Sequence, residues 1–373
     1  MTYLPALTPL RGIAALLIVL LHFSGSVLPN LGLHAYTMLI SNGYLAVDLF
    51  FLMSGVVIAH VYGQELGRGL SYATSAAFLR ARFARLYPLH FCTLAYLLFM
   101  AVVTPFLYSL ATGAPYGLAG EGRYTLETTI KNLLLIHGMW NEHLTWNYPS
   151  WSISTEFFAY LAFPFAAPLL ATVRRGMALA GIAVLFAALW WLAHEQGSLD
   201  IVTGPSFLRC VLQFGIGTLL HRLYLEGTGI GILRRDEVFM AAVLAIVAAL
   251  HFNLADILVI PLFMILILSG IHNEGRVLSA LQAPPLVRLG DLSFSLYMTH
   301  AVVDKMTRTL LALITGHHDG RAVGTATSWL VLAAMLIFVF ALSDATYRRI
   351  EVPARRWLKS RTPGPVQPAA TYP

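Results

Sequence analysis

Blocks of about twenty apolar residues recur along this chain, each long enough to cross a hydrocarbon layer of ~30 Å as a helix. A backbone immersed in hydrocarbon must satisfy its own hydrogen bonds, so repeated blocks of this length predict an all-α, polytopic membrane helix bundle. Composition agrees. Of 373 residues, 58% are hydrophobic and 11% charged, and mean hydropathy is +0.71, whereas a soluble domain carries about 25% charged residues. Spans are predicted at roughly 10–28, 43–62, 86–107, 151–172, 176–195, 207–225, 236–252, 255–272, 290–314 and 325–347, about ten transmembrane helices. Segment 125–140 is apolar but shorter and reads as a re-entrant or interfacial helix. The run from Ile13 to Leu28 is too long for a signal-peptide core and precedes no strong cleavage site, so it is expected to remain as the first membrane helix.

The formal charge of +6 does not point to nucleic acid, because the basic residues sit in short clusters between apolar blocks, where they encode topology. With both termini cytoplasmic, eighteen of the 24 Lys and Arg residues fall on the inner side. The outer loops hold only Arg123, Lys131 and Arg321, and Arg209, Lys305 and Arg308 lie within spans. That asymmetry predicts cytoplasmic N- and C-termini. Cys92 and Cys210 both lie in apolar segments, so neither a disulfide framework nor a cysteine metal site is expected, and no other metal site is predicted. Residues 1–360 read as one membrane-embedded domain, and the Pro-rich 361–373 as a disordered cytoplasmic tail.

Ionisable groups inside spans cost several kcal/mol unless paired or hydrated, so each is a candidate for function. His22 follows Arg11 by three helical turns on the same face, ~16 Å along the axis. Counting from helix ends puts His22, Asp48 and Glu156 at one depth in the outer half, where a carboxylate beside the imidazole would fix its tautomer and raise its basicity. A buried polar network that only fixes helix packing is the competing reading. On the inner side, LRARFARLYP (79–88) sets Arg82 and Arg85 three residues apart, a spacing that suits phosphate but also serves topology. In GDLSFSLYMTH (290–300), Ser293, Tyr297 and His300 form a polar helix face that Asp304, Lys305 and Arg308 extend outward. Such a face is expected to line a cavity reaching from the Arg82/Arg85 side to the His22 side. The outer loop WNEHLTWNYPSWSISTE suits either an interfacial aromatic belt or stacking on a sugar, with Trp146, Asn147, Trp151 and Ser152 as acceptor-binding candidates.

Taken together, LRGIAALLIVLLHF, NGYLAVDLFFLMSG, RFARLYP, PSWSISTEFFAYLAFP, LGDLSFSLYMTH and YRRIEVPARRW, in this order over almost the whole chain, resemble the acyltransferase family 3 of membrane O-acyltransferases. The resemblance implies His22 as catalytic histidine, Arg11 as the basic residue of the first helix, Arg82 and Arg85 as the Arg-x-x-Arg motif, and Glu156 as the acid of the fourth-span motif. It further implies a multi-pass protein of the bacterial inner (cytoplasmic) membrane that moves an acyl group, acetyl by family usage, from cytoplasmic acyl-CoA to a hydroxyl of a surface polysaccharide or glycolipid.

Arginines at the cytoplasmic mouth would hold the CoA phosphates, with Tyr297 and His300 along the donor path, while the pantetheine arm reaches His22. His22 would act as general base or as nucleophile, with Glu156 and Asp48 orienting it. A fused SGNH hydrolase-like domain, present in some members, is expected to be absent, so that the chain acts alone or with a separate partner. A homo-oligomeric state stays open. The alternative is a proton-coupled transporter or flippase, for which the same ionisable cluster would relay protons.

Overall fold

The computed structural model describes residues 4–113 and 123–360, with side chains to 357. The tail expected to be disordered lies outside the described residues. Ten principal helices carry the fold: α1 (Leu7–His22), α2 (Ala46–Leu66), α3 (Tyr72–Thr112), α4 (Trp151–Thr172), α5 (Arg175–Gln196), α6 (Ser206–Leu225), α7 (Asp236–His251), α8 (Val259–His272), α9 (Ser293–Thr315) and α10 (Thr325–Thr346). No strand occurs among the described residues. Six helical segments are long and apolar enough to cross a membrane: Leu7–Val27, Ser41–Leu66, Tyr72–Thr112, Tyr148–Thr172, Arg175–Gln196 and Thr325–Trp357. The others fall short for visible reasons: α7 and α8 have 16 and 14 residues, α6 carries Arg209 and Arg222 towards its ends with Gln213 and His221 between, and α9 carries Asp304, Lys305 and Arg308 in its middle.

Boundaries depart from the predicted spans in two instructive places. The third helix begins at Tyr72 rather than residue 86 and runs for 41 residues, so Arg80, Arg82 and Arg85 sit on a helix continuous with the apolar span. Segment 125–140 forms two short helices, Leu126–Leu133 and His137–Trp140. Both are pinned to their surroundings: the Gly138 amide donates to Ser154, Ser206 donates to the Gly138 carbonyl, and Asn132 donates to Thr145. This clamp fixes the loop that delivers Tyr148 to the middle of the molecule.

Helices α2, α6 and the first half of α9 are the most buried, and α3, α5 and α10 turn apolar side chains such as Phe99, Val184 and Ile337 outward, as lipid contact requires. The closest crossing joins α2 to α6 through Gly55 and Gly217. A Cβ on Gly55 would collide with the Phe214 carbonyl, and one on Gly217 with the Leu52 carbonyl. Small residues let backbones approach where lipid offers no hydrophobic gain for helix association. Two helices end in π turns, Phe23–Val27 after α1 and Tyr347–Glu351 after α10. Each re-aims side chains one residue off the α register, and both lie next to the polar centre described below.

Candidate active site

A part-open cavity between α1, α2, α3, α4 and α9 is lined at its polar end by Arg11, Arg82, Arg85, Glu156, Tyr160 and Ser54. Arg82 and Arg85 share one face of α3, as their spacing requires. Arg82 donates to the Tyr62 hydroxyl at 2.9 Å and lies 5.0 Å from that ring's centroid, which fixes its guanidinium. Glu156 accepts from both Ser54 and Tyr160 at 2.5 Å. Arg355, which the sequence places among topology-setting residues near the C-terminus, comes back to this cluster. It pairs with buried Glu351, which also accepts from Ser295 at 2.9 Å, and stands within electrostatic range of Arg85, Arg11 and Arg82. Several guanidiniums around one carboxylate leave a net positive cavity suited to an anionic guest.

Tyr297 and Ser152 close the far wall. The two hydroxyls are 2.7 Å apart, and Tyr297 donates to the Pro149 carbonyl at 2.8 Å. Behind this wall lie His22, His300 and Tyr148. The His22 ring is 5.0 Å from that of His300 and 4.9 Å from that of Tyr148, and the Tyr148 and His300 rings are 5.5 Å apart. His22 Nδ1 is 2.8 Å from the Ile18 carbonyl. A carbonyl can only accept, so Nδ1 carries the proton and the Nε2 lone pair is left to act as base or nucleophile. Tyr148 donates to Asp304 at 3.2 Å, Arg308 pairs with Asp304 at 2.5 Å, and Arg308 reaches Ser26 in the π turn at 2.6 Å from its carbonyl. Ser26 in turn donates to the His22 carbonyl. The imidazole is thus set in a frame built from α1, α9 and the loop before α4.

Sequence reasoning expected His22, Asp48 and Glu156 to meet, and the structure does not bring them together. Asp48 makes a fully buried ion pair with Arg209, at 2.5 and 2.8 Å, and accepts from Gln213. Glu156 lies in the arginine cavity, level with Ser54, two helical turns along α2 from Asp48. Counting residues from helix ends failed because it set Gly43 level with the outer end of the first helix, whereas Gly43 stands against Leu17 and Leu21, which puts Asp48 deeper than His22. The carboxylate that serves the His22 cluster is Asp304, through Tyr148. Its signal in the sequence is the spacing His300, Asp304, Arg308, one helix face continued outward. Tyr148, among the loop aromatics, carried no separate signal.

The expected acceptor-binding set also divides. Asn147 is buried and donates to Thr93. Trp151 packs on Phe51 and under the Arg209 guanidinium. Ser152 belongs to the cavity wall, and Trp146 packs on Tyr124. His300, expected on the donor path, lies against His22 beyond that wall. Among the described residues no group of three or more His, Cys, Asp or Glu side chains could hold a metal ion.

Residues 5–348 match the acyltransferase domain family. The chain is 28% identical to the acyltransferase MdmB of Streptomyces mycarofaciens over 388 aligned positions, covering 96% of this chain and 94% of that protein. A shorter stretch of 75 residues is 49% identical to protein 2 of the picA locus of Rhizobium radiobacter, covering 20% of this chain and 37% of that protein. No solved structure matches the chain.

Proposed function

Because this chain belongs to the acyltransferase domain family, we propose that it is a multi-pass membrane O-acyltransferase that takes an acyl group from acyl-CoA and delivers it to a hydroxyl of a sugar-containing acceptor. The observation that carries this reading is the pairing of a guanidinium-lined cavity with an imidazole centre just beyond its far wall. Acyl-CoA has the matching shape, with phosphates at one end and a thioester at the end of a long arm. Arg11, Arg82 and Arg85 would hold the phosphates by charge-assisted hydrogen bonds. The arm would follow the α9 stripe past Ser293 and Tyr297 to His22.

With Nδ1 held by the Ile18 carbonyl, His22 Nε2 takes the proton of the acceptor hydroxyl as that oxygen attacks the thioester carbon. The C–S bond breaks, the proton passes from His22 to the departing thiolate, and the products are ester and CoA. Asp304 acts through Tyr148 to hold the acceptor side of the imidazole. Glu156 orders the arginines and does not touch His22. Ten crossings, cytoplasmic termini and residence in a bacterial inner membrane complete the reading, with the donor arriving from the cytoplasm and the acceptor from the opposite face.

The test is purified protein with radiolabelled acetyl-CoA. The wild type is expected to release CoA and His22→Ala to lose that release by at least about a thousandfold, in line with loss of a base that also orients the attack. The double variant Arg82→Ala/Arg85→Ala should weaken acetyl-CoA binding while turnover at saturation persists. Equal CoA release by wild type and His22→Ala would sink the proposal.

A further inference from the structure

Among the described histidines, only His300 is buried with neither ring nitrogen in a well-formed hydrogen bond, the carbonyls of Leu296 and Tyr297 one turn back on α9 being the polar groups that come near it. Its exposure is 0%, so bulk solvent does not reach the ring. A buried polar atom left without a good partner destabilises the fold, and such atoms are rare in folded proteins. The cost is borne on the most buried stretch of α9, where every residue from Ser293 to Asp304 is buried. The ring lies 5.0 Å from His22 and 5.5 Å from Tyr148 on one side, and 5.8 Å from Tyr297 of the cavity wall on the other. An unsatisfied imidazole standing between the wall and the base is placed to be satisfied by whatever passes that wall.

We infer that His300 is a second catalytic residue, whose ring N–H donates to the thioester carbonyl oxygen as negative charge develops there. The inference rests on the acyl-CoA reading above. A neutral imidazole offers one donor and one acceptor. An acyl-CoA thioester presents the carbonyl oxygen to the donor, and the nearest amide N–H of its pantetheine arm can serve the acceptor. In the step, the acceptor oxygen bonds to the thioester carbon, its proton goes to His22 Nε2, and the carbonyl oxygen becomes an oxyanion held by His300. Collapse breaks the C–S bond, returns the carbonyl, and the proton on His22 leaves with the thiolate as CoA thiol. His300 keeps its proton throughout, so the two histidines divide the work of base and electrophile. The His300 N–H of the resting state is a donor fixed in advance, at a site dry enough for its hydrogen bond to count for more than in water.

The decisive comparison is His300→Gln against His300→Met, two side chains of nearly equal shape of which only the first can donate. Release of CoA thiol from acetyl-CoA, with water as acyl acceptor, is followed for the full chain in nanodiscs, and CoA affinity is measured by calorimetry. His300→Met is expected to lose ~10²–10³-fold in turnover, the usual cost of removing one oxyanion donor, with CoA affinity unchanged. His300→Gln should remain within about tenfold of wild type. His300→Met should unfold at or above the wild-type temperature, because it removes two polar atoms without well-formed hydrogen bonds from a buried position. Equal turnover in the Gln and Met variants, or a loss matched by an equal loss in CoA affinity, overturns the inference. A wild type that never releases CoA would instead defeat the acyltransferase reading. Turnover lost in His22→Ala but kept in His300→Met defeats only the role given to His300.

Discussion

The residues that decide the chemistry differ in what they touch, and that difference separates their expected phenotypes. Glu156 is bound by Ser54 and Tyr160 inside the arginine cavity, whereas Asp304 is bound by Tyr148 and Arg308 beside His22. Glu156→Gln is expected to change the KM for acetyl-CoA by about tenfold, the worth of one charge-assisted hydrogen bond, with kcat little altered. Asp304→Asn should do the reverse, lowering kcat about tenfold by loosening Tyr148 while leaving the donor KM in place. Steady-state kinetics on both variants checks the division, and a kcat effect confined to Glu156→Gln would reverse it. A third carboxyl reports on the loop between α5 and α6. Desolvation raises the Asp200 carboxyl above its ordinary range, against the pull of Arg209, with Asp48 and Asp256 adding to the rise. A carboxyl raised on folding destabilises the native state when ionised, and the penalty fades as pH falls and it takes up a proton. Asp200→Asn is therefore expected to raise the unfolding temperature at pH 8 and to leave it nearly unchanged below pH 4; equal gains at both pH values would count against this account.

At the scale of elements, the chain is legible wherever a property is local. Apolar length announced the helical bundle, and a three-residue spacing put Arg82 and Arg85 on one face. Ser293, Tyr297 and His300 share one face of α9 because a helix repeats every 3.6 residues whatever surrounds it, but Tyr297 walls the cavity off, so Ser293 faces the guanidinium side and His300 the His22 side. What sequence hid depends on how helices cross. Pairing Asp48 with Arg209 needs the α2–α6 contact, and bringing Arg355 to the arginine cluster needs the π turn after α10. The glycines that set the first of these crossings make a sharp prediction. Gly217→Ala, whose methyl would strike the Leu52 carbonyl, should destabilise the protein by about 1–3 kcal/mol through overpacking. Gly176→Ala, at the start of α5 with open space around it, should be neutral. Thermal unfolding in detergent compares them, and equal midpoints would show that the crossing tolerates a wider separation.

For the whole molecule, the wall formed by Tyr297 and Ser152 has a consequence that concerns the cell rather than the reaction. A protein that receives one substrate from each side of a membrane must join two water-accessible spaces at a single point, and a hole there would dissipate the proton gradient that the membrane maintains. On the proposed reading the Tyr297 ring, fixed by Ser152 and the Pro149 carbonyl, would serve as electrical insulation between the guanidinium cavity and the imidazole centre. Tyr297→Ala, reconstituted in liposomes carrying a pH-sensitive dye, is expected to collapse an imposed pH difference several times faster than wild type, and an unchanged decay would place the insulating layer elsewhere.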